Sequence, residues 1–511
     1  MIDRVRDYGI AVGEVPANEG RVRWPRTTRP AFIGRALRGP LDTPVLIDSP
    51  AAFQRRFGGP WRRSALCEAV EQFFAHGGRE AFIVRVANGA TGGTLDLPGP
   101  AGALHLEAVE PGSTELLRAA VDYDGIRDED SFNLVLQRLA PQTSLVVDQE
   151  IYPRVSVFPD SADFVGDALA SSTLLRLRTP LPTARPYATM GRQAQSRAPY
   201  VMLTRRGREG QDLSDYDLVG SRERRTGLFS LEGVDDFDLL YMPSPAPHRG
   251  PGPAALLAAE AYCRRRGAML ITDPAEHWED SIDAAAGVRH AGLASASIMN
   301  YFPRLVVGDE RMPAGAAIAG LLCRLDAEEG PWGTLEQRRY AFARGARPAC
   351  ELSDADRQLL VRTGVNTITR GRDGRFELLG NVTLARAEQS DPFYTDLSVR
   401  RFCLRLAKTL ERASRWALFE LDSGAAAADV ERQANRLLAW LAGAGAVEAG
   451  QSRARCNARR SGGDRSLTLL LSLKPVRSPV PVSMTLYHTP SGCRIASTVF
   501  APVTATGASA A

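Results

Sequence analysis

Long apolar runs are missing from this sequence, and so are the cysteine spacings that hold metals. No stretch of about 18 apolar residues is present, which argues against a membrane-spanning helix. The start MIDRVRDYGI also lacks the apolar segment of a signal peptide. The seven cysteines form no CxxC pair, so we expect reduced thiols rather than disulfides or a zinc site. These absences predict a chain that stays in the cytoplasm of the cell that makes it, with no direct membrane insertion.

The motifs of the common catalytic sites are missing too. There is no GxxxxGK followed by Ser or Thr, no GxSxG, no HExxH and no GxGxxG after a predicted strand, so phosphate cradles and the usual hydrolase sites have no support. The formal net charge of +4 does not indicate general nucleic-acid binding. Arginine-rich stretches at 222–225 and 453–460 are either local basic patches or solvated basic loops, and we favour the loops. We expect no cofactor, no metal and no nucleic-acid partner.

What is present begins with a compact α/β unit in residues 29–87. Short apolar runs bounded by Pro, Gly or Asp predict buried strands. Ser49 and Pro50 are typical of a helix start, and Gly58 is typical of its end. A second helix is predicted by apolar residues recurring at i, i+3, i+4, i+7 and i+8, namely Leu66, Ala69, Val70, Phe73 and Phe74.

The same pattern returns after residue 234. Strand-like runs alternate with helices, of which residues 254–266, ended by Gly267, are the clearest. Alternation of this kind predicts a doubly wound α/β sheet. A last helix is predicted at 430–441, and the residues expected on its core face are Val430, Ala434, Leu437, Leu438 and Leu441.

Acidic residues and a histidine crowd the end of one predicted strand. Asp273, Glu276, His277, Glu279 and Asp280 follow the run AMLIT, and doubly wound sheets bind ligands at the carboxyl ends of their strands. An α/β enzyme with a site near Asp273 and His277 is therefore one interpretation. The other is an acidic, solvated helix start that Asp273 caps, because acidic side chains favour helix N-termini. We favour the second.

Several segments in a fixed order carry a resemblance to a known family. They are AFIGRALRGPLDTPVLIDS, AAFQRRFGG, AVEQFFAHGG and AFIVRV near the start, and GVNTI, LSVRRF and WALFE towards the end. In this order they resemble contractile tail sheath proteins of phage tails, R-type bacteriocins and extracellular contractile injection systems. The resemblance implies a structural, non-enzymatic subunit that polymerises around an inner tube and contracts to drive the tube through a target envelope.

The resemblance also implies a domain organisation. The expected fold is α/β, with a doubly wound mixed-sheet core, a β-rich inserted domain and extended strand arms at both ends. The expected parts are an N-terminal arm and linker at 1–25, a discontinuous core at 26–90 and 230–479, an inserted outer domain at 91–229, and a C-terminal arm and tail at 480–511. Within the last part, residues 488–511 are expected to form a weakly structured tail.

Alternating apolar residues predict one strand near each end of the chain. The alternating positions are Tyr8, Ile10 and Val12 at the N-terminal end, then Val480, Val482, Met484 and Leu486 at the C-terminal end. A single strand must join a sheet to satisfy its backbone. The C-terminal strand can form a hairpin with residues 467–473 or join a neighbouring subunit. The family resemblance implies donation of both strands to neighbours.

Contact with an acidic inner tube is implied as well. Arg432 and Arg436 lie at i, i+4 on the last predicted helix, away from its core face, and are the first choice for this contact. Arg400, Arg401 and Arg405 are the second choice, and a solvated charged face is the alternative for each arginine. The other expected partners are further sheath subunits in stacked six-fold rings, a baseplate, and a terminator or cap. The finished protein is then expected in the assembled phage tail or injection particle.

Overall fold

The computed structural model describes most of the chain, and its residues fall into two compact units. The described residues are 22, 24–25, 27–195, 198–246, 249–336, 339–340, 342, 346–371, 375–385, 392–418, 425–461, 464–479, 481–489 and 492–499. We call Thr27–Glu329 with Gly333–Ser390 the core unit, and Met1–Arg26 with Gly330–Trp332 and Asp391–Ala511 the terminal unit. This division differs from the predicted domains, because residues 391–479 group with the C-terminal segment and not with the core.

The described residues form strands and helices in the following order. In chain order the strands are β1 (Pro30–Gly34), β2 (Val45–Ile47), β3 (Ala81–Arg85), β4 (Thr94–Leu97), β5 (Leu104–Ala108), β6 (Leu117–Asp122), β7 (Ser131–Leu139), β8 (Val146–Ser156), β9 (Leu175–Arg178), β10 (Val201–Met202), β11 (Leu239–Tyr241), β12 (Met269–Thr272), β13 (Ile298–Phe302), β14 (Leu305–Val307), β15 (Glu310–Met312), β16 (Arg339–Tyr340), β17 (Arg347–Pro348), β18 (Val365–Arg370), β19 (Phe376–Leu379), β20 (Arg453–Ser461), β21 (Asp464–Leu473), β22 (Val482–Thr489) and β23 (Gly492–Val499). The α-helices are α1 (Pro50–Phe57), α2 (Leu66–Ala75), α3 (Val165–Leu169), α4 (Asp215–Val219), α5 (Pro253–Arg266), α6 (Ser281–His290), α7 (Gly315–Glu328), α8 (Asp354–Arg362), α9 (Leu397–Ser414) and α10 (Ala425–Gly443). Among these described helices, none has both the length and the hydropathy that crossing a bilayer requires.

The centre of the core unit is a mixed sheet of nine strands. Its order is β16-β19-β18-β13-β12-β11-β1-β3-β2. The strands from β18 to β3 in this order pair in parallel, and antiparallel strands flank them on both sides. Parallel strands of this kind are buried on both faces, which explains why their sequences are continuous apolar runs.

The first α/β unit forms as its sequence predicts. The Ser49 hydroxyl accepts a hydrogen bond from the Ala52 amide, Pro50 is the first residue of α1, and Gly58 follows the helix. In α2 the apolar stripe at Leu66, Ala69, Val70 and Phe73 is buried. Further on, α5 ends at Gly267, whose φ of 63° places it in the left-handed region that favours glycine.

Residues between β3 and β11 build two smaller antiparallel sheets. Their orders are β4-β5-β9 and β10-β6-β7-β8. The inward side chains of both sheets share a hydrophobic cluster that is separate from the one beneath the nine-stranded sheet.

The terminal unit combines two long helices with one antiparallel sheet. The sheet has the order β20-β21-β22-β23, and each strand pairs with the next in the chain. The prediction of a weakly structured tail from residue 488 is wrong for residues 488–489 and 492–499. These residues end β22 and form β23, because the open edge of β22 supplies backbone partners that a tail of small residues can pair with. Residues 500–511 lie outside the described part.

Candidate assembly surface

The exposed side of α10 presents the arginine pair that the sequence selected. Its buried residues include all five that were predicted for the core face, namely Val430, Ala434, Leu437, Leu438 and Leu441. Arg432 and Arg436 are exposed on another side. They help to line an open groove of about 700 Å³ between α10 and β20, together with small side chains such as Ala428 and Ala439. A face of this kind can receive a negatively charged surface.

One of the two arginines on this face of α10 already has an acidic partner within the chain. Arg432 forms an ion pair with Asp429, three residues earlier on the same helix, and both side chains are exposed. An exposed pair of this kind contributes little to stability and can exchange partners at low cost. Arg436 forms no ion pair with any residue that the structure describes. The groove therefore holds one arginine in a local pair and one whose charge faces solvent.

The second set of predicted arginines is placed differently. Arg401 and Arg405 on α9 are only 6% and 5% exposed. Arg405 Nη1 donates to the carbonyl oxygen of Pro25 at 3.4 Å. The expectation that these two side chains meet an inner tube is wrong for the chain as folded, because their charged ends lie inside the terminal unit. Arg400 is half-buried, with its guanidinium 4.5 Å from the centroid of the Tyr394 ring.

An aromatic cluster in the terminal unit was not predicted from the sequence. The Trp24 ring lies 6.0 Å from Trp332, 6.2 Å from Phe402 of α9 and 6.3 Å from Trp440 of α10, measured between ring centroids. Aromatic pairs at such distances attract beyond their buried area. Trp24 therefore packs against both α9 and α10. In the sequence, Trp24 is a single tryptophan in a polar stretch. Such a residue does not indicate which distant side chains it will contact.

The predicted C-terminal strand lies in the middle of the terminal sheet. Val482, Met484 and Leu486 of β22 are buried, and β22 pairs with β21 on one side and β23 on the other. Val480 lies outside the described residues, as do Tyr8, Ile10 and Val12. Within a single chain, therefore, the apolar face of β22 is covered and both of its edges are paired.

A polar contact also links α9 to this sheet. His488 of β22 is buried, with Nε2 lying 3.2 Å from Ser414 Oγ of α9 and 3.4 Å from Cys493 Sγ of β23. Burial lowers the pKa of His488. Burial also raises the pKa of Cys493 to about 12, so this thiol stays protonated at neutral pH.

The acidic cluster after β12 borders a cavity of about 340 Å³ in the core unit. Asp273, at its edge, accepts a hydrogen bond of 2.6 Å from the Tyr241 hydroxyl and one of 3.1 Å from the Gly315 amide. Burial raises the pKa of both Asp273 and Tyr241. Both oxygens of the carboxylate are thus used to join β11, β12 and the start of α7.

The interpretation of Asp273 as the cap of the following helix is wrong. Asp280 caps that helix, because its carboxylate accepts from the amides of Ile282 and Asp283 at the start of α6. Asp273 instead bonds the amide of Gly315, the first residue of α7, 42 positions later. His277 is exposed. In the described part of the chain, no group of three His, Cys, Asp or Glu side chains is arranged to hold a metal ion.

Comparisons with known proteins find similarity at the level of the fold. No protein-family model matches this sequence, and no curated protein is significantly similar to it. Solved structures do match. A sheath tail protein from Listeria innocua has a TM-score of 0.61 at 12% identity, with 91% of this chain and 96% of that chain covered.

Two particle structures match over a similar length. The contracted sheath complex of an extracellular contractile injection system has a TM-score of 0.51 at 13% identity, with 93% of this chain and 96% of that chain covered. A chain of the six-fold symmetrised baseplate of the anti-feeding prophage has a TM-score of 0.52 at 14% identity and the same coverage. These matches confirm the resemblance seen in the sequence: the chain has the fold of sheath tail proteins and of contractile injection system sheaths.

Proposed function

We propose that this protein is a structural subunit of a contractile sheath, which polymerises around an inner tube and contracts to drive the tube through a target envelope. The observation that carries the proposal is the match of more than 90% of this chain to more than 90% of sheath chains, among them a sheath complex in its contracted state. A fold match of this extent includes both units and leaves no large part of the chain for a separate activity.

The proposed architecture follows the same fold. The nine-stranded sheet and its helices form a doubly wound core domain, and the two antiparallel sheets between β3 and β11 form a domain inserted into it. Support for the insertion comes from the separate hydrophobic cluster of those sheets. A domain with its own core can project from a lattice without altering the contacts that the rest of the subunit makes.

The proposed mechanism is mechanical. A sheath lattice is metastable, and contraction releases its stored energy as subunits rotate and re-pack while linked strands keep them joined. No nucleotide is part of this cycle. Tight, stoichiometric nucleotide binding measured by calorimetry would argue against the mechanism.

The proposed partners are further copies of this chain in stacked six-fold rings, an inner tube protein, a baseplate, and a terminator or cap. Support for the ring symmetry and the baseplate comes from the similar chain in a six-fold symmetrised baseplate. The proposed tube contact is the exposed pair Arg432 and Arg436 on α10. Arg401 and Arg405 are not retained, because both are buried.

Strand exchange between subunits is also part of the proposal. The N-terminal strand around Tyr8 to Val12 and the C-terminal strand β22 are proposed to pair with sheets of neighbouring subunits, because main-chain pairing tolerates changes of side-chain contact during contraction. The covered position of β22 in the single chain supports the idea that this sheet accepts such a strand there. Deleting residues 1–20 should leave a folded, soluble subunit that forms no tubes. A truncated chain that assembles normally, or one that does not fold, would contradict the exchange at this end.

An enzymatic role for the cluster near Asp273 and His277 is not retained. Both carboxylate oxygens of Asp273 accept hydrogen bonds, from the Tyr241 hydroxyl and the Gly315 amide, which is a structural role. The similar solved structures are sheath proteins. We therefore assign this cluster to joining β11, β12 and α7.

Negative-stain electron microscopy of the purified protein tests the proposed function. A sheath subunit is expected to form rods or rings, alone or after co-expression with its tube protein. Globular particles of one size at every protein concentration, with and without the tube protein, would overturn the proposal.

A further inference from the structure

One edge of the terminal sheet is closed by side chains of a helix. The strand β20 is an edge strand, since it pairs with β21 on one side only. In an antiparallel pair, alternate residues of an edge strand direct their amide and carbonyl groups away from the partner. In β20 these outward groups include those of Ala454, Cys456 and Ala458. Such groups are a template on which another strand can add.

Two side chains of α10 occupy part of this template. Asn435 Oδ1 accepts from the Ala454 amide at 2.9 Å, and Asn435 Nδ2 donates to the Ala454 carbonyl at 3.0 Å. Glu431 Oε2 accepts from the Cys456 amide at 2.9 Å. The side-chain amide of Asn435 thus bonds both the N–H and the C=O of one residue. An added antiparallel strand would make the same pair of bonds there.

The helix geometry fixes the spacing of these bonds. Glu431 and Asn435 are four residues apart and therefore neighbours on one side of α10, and Asn435 Nδ2 also donates to the Glu431 carbonyl at 2.9 Å. Rising about 1.5 Å per residue, four helical residues span about 6 Å, which is close to the distance of about 6.6 Å between alternate residues of a strand. One helix side can thus bond to successive outward groups of a strand.

The remainder of the edge is protected only by charge. In the described part of the chain, the outward groups of Ala458 make no hydrogen bond, and the exposed side chains of Arg453, Arg455 and Arg459 lie along β20. Charged side chains on an edge strand discourage pairing but do not occupy its backbone groups. The blocked half of β20 is therefore the half beside α10.

We propose that Glu431 and Asn435 guard the β20 edge against strand addition, so that a strand from another subunit can join this sheet only on the side of β22 and β23. This inference rests on the proposed strand exchange. In a lattice joined by exchanged strands, every subunit must accept its neighbour's strand at one edge. A second open edge would allow subunits to pair in the wrong order.

Hydrogen exchange of the wild-type protein gives the first test. The amides of Ala454 and Cys456 are expected to exchange about tenfold more slowly than that of Ala458, because only the first two donate to side chains of α10. Equal exchange rates at the three amides would overturn the proposal without requiring any variant.

The double variant Glu431→Ala with Asn435→Ala gives the second test. At a concentration where the wild-type protein is monomeric, the variant is expected to self-associate, and its amides at 454 and 456 are expected to exchange about tenfold faster before association. The matched control is Glu431→Gln, which keeps the acceptor oxygen and should stay monomeric. If the double variant folds and remains monomeric like the wild type, Glu431 and Asn435 do not prevent strand addition at the β20 edge, and the proposal is wrong.

A proline substitution identifies the edge that is used. Ala458→Pro removes an outward amide that makes no bond to β21, so it is compatible with an edge strand. Added to the double variant, it should restore the monomer. If association persists, it does not occur through β20 and the proposal is wrong. All three tests are made on the soluble subunit, so failure of the wild type to form a sheath would overturn the proposed function and leave these readouts intact.

Discussion

The helices α9 and α10 carry the same charge pattern with opposite results. Each has two arginines at i, i+4, Arg401 and Arg405 on α9 and Arg432 and Arg436 on α10. The first pair is buried and the second is exposed. The reason is the number of neighbours around each helix: α9 is buried around most of its circumference, whereas α10 buries one apolar stripe. Spacing alone therefore does not tell a structural arginine from one available to a partner.

The largest expected effect comes from the buried pair. Arg405→Ala should lower the free energy of unfolding by about 3 kcal/mol, because it leaves a cavity and removes a donor from the Pro25 carbonyl. Urea denaturation followed by circular dichroism measures the change. Arg432→Ala is the matched control on α10 and should differ from the wild type by less than about 0.5 kcal/mol. Equal effects of the two substitutions would show that burial does not distinguish Arg405 from Arg432.

Trp24 is expected to have the next largest effect, since its ring contacts both helices. Trp24→Ala should cost about 2 kcal/mol of unfolding free energy by removing contacts with Phe402, Trp440 and Trp332. Trp24→Phe keeps a ring and should recover more than half of that loss. Denaturant midpoints of the two variants provide the measurement. An unchanged midpoint for Trp24→Ala would show that the cluster does not hold the two helices.

A smaller, pH-dependent effect is expected at His488, where α9 meets the sheet. Burial sets the folded-state pKa of His488 below its ordinary value of 6.5, so the unfolded chain binds this proton more tightly. Stability is therefore complete above pH 6.5 and declines as the pH falls below it. His488→Gln should flatten that decline in urea midpoints measured from pH 5 to 7.5, whereas the exposed His290→Gln should not. An unchanged pH profile in His488→Gln would contradict this account.

The smallest effect on stability is expected from the exposed pair. Arg432→Glu with Arg436→Glu should change the free energy of unfolding by less than about 1 kcal/mol, because both side chains are solvated. Assembly around the tube should nevertheless be lost, because like charges would then face each other. The charge-conserving variant Arg432→Lys with Arg436→Lys should assemble. Normal particles from the glutamate variant would show that α10 does not contact the tube through these arginines.

Local pattern was sufficient to predict a good part of the fold. The stripe of α10 from Val430 to Leu441 and the cap at Ser49 depend on neighbours in the chain, and both form as predicted. The strand β23 was missed, because its small residues pair only when β22 offers an open edge. Its formation depends on tertiary context, which local propensity does not contain.

Prediction was weaker for the candidate site, because its contacts join distant residues. Asp273 was expected to cap the next helix, but it bonds Tyr241, 32 positions earlier, and Gly315, 42 positions later. Likewise, the pairing of Asn435 with Ala454 requires α10 to lie beside β20. The arginine pairs show the same limit, since burial is set by the surrounding elements. Spacing selects candidates, and only the packed structure separates them.

The central claim is that this chain is a sheath subunit whose α10 faces the inner tube. Cryo-electron microscopy of the wild-type protein assembled with its tube protein tests this most directly. The account predicts a helical sheath in which Arg432 and Arg436 lie within ion-pair distance, about 4 Å, of acidic tube residues. A sheath in which α10 faces away from the tube, or no sheath at all, would contradict it.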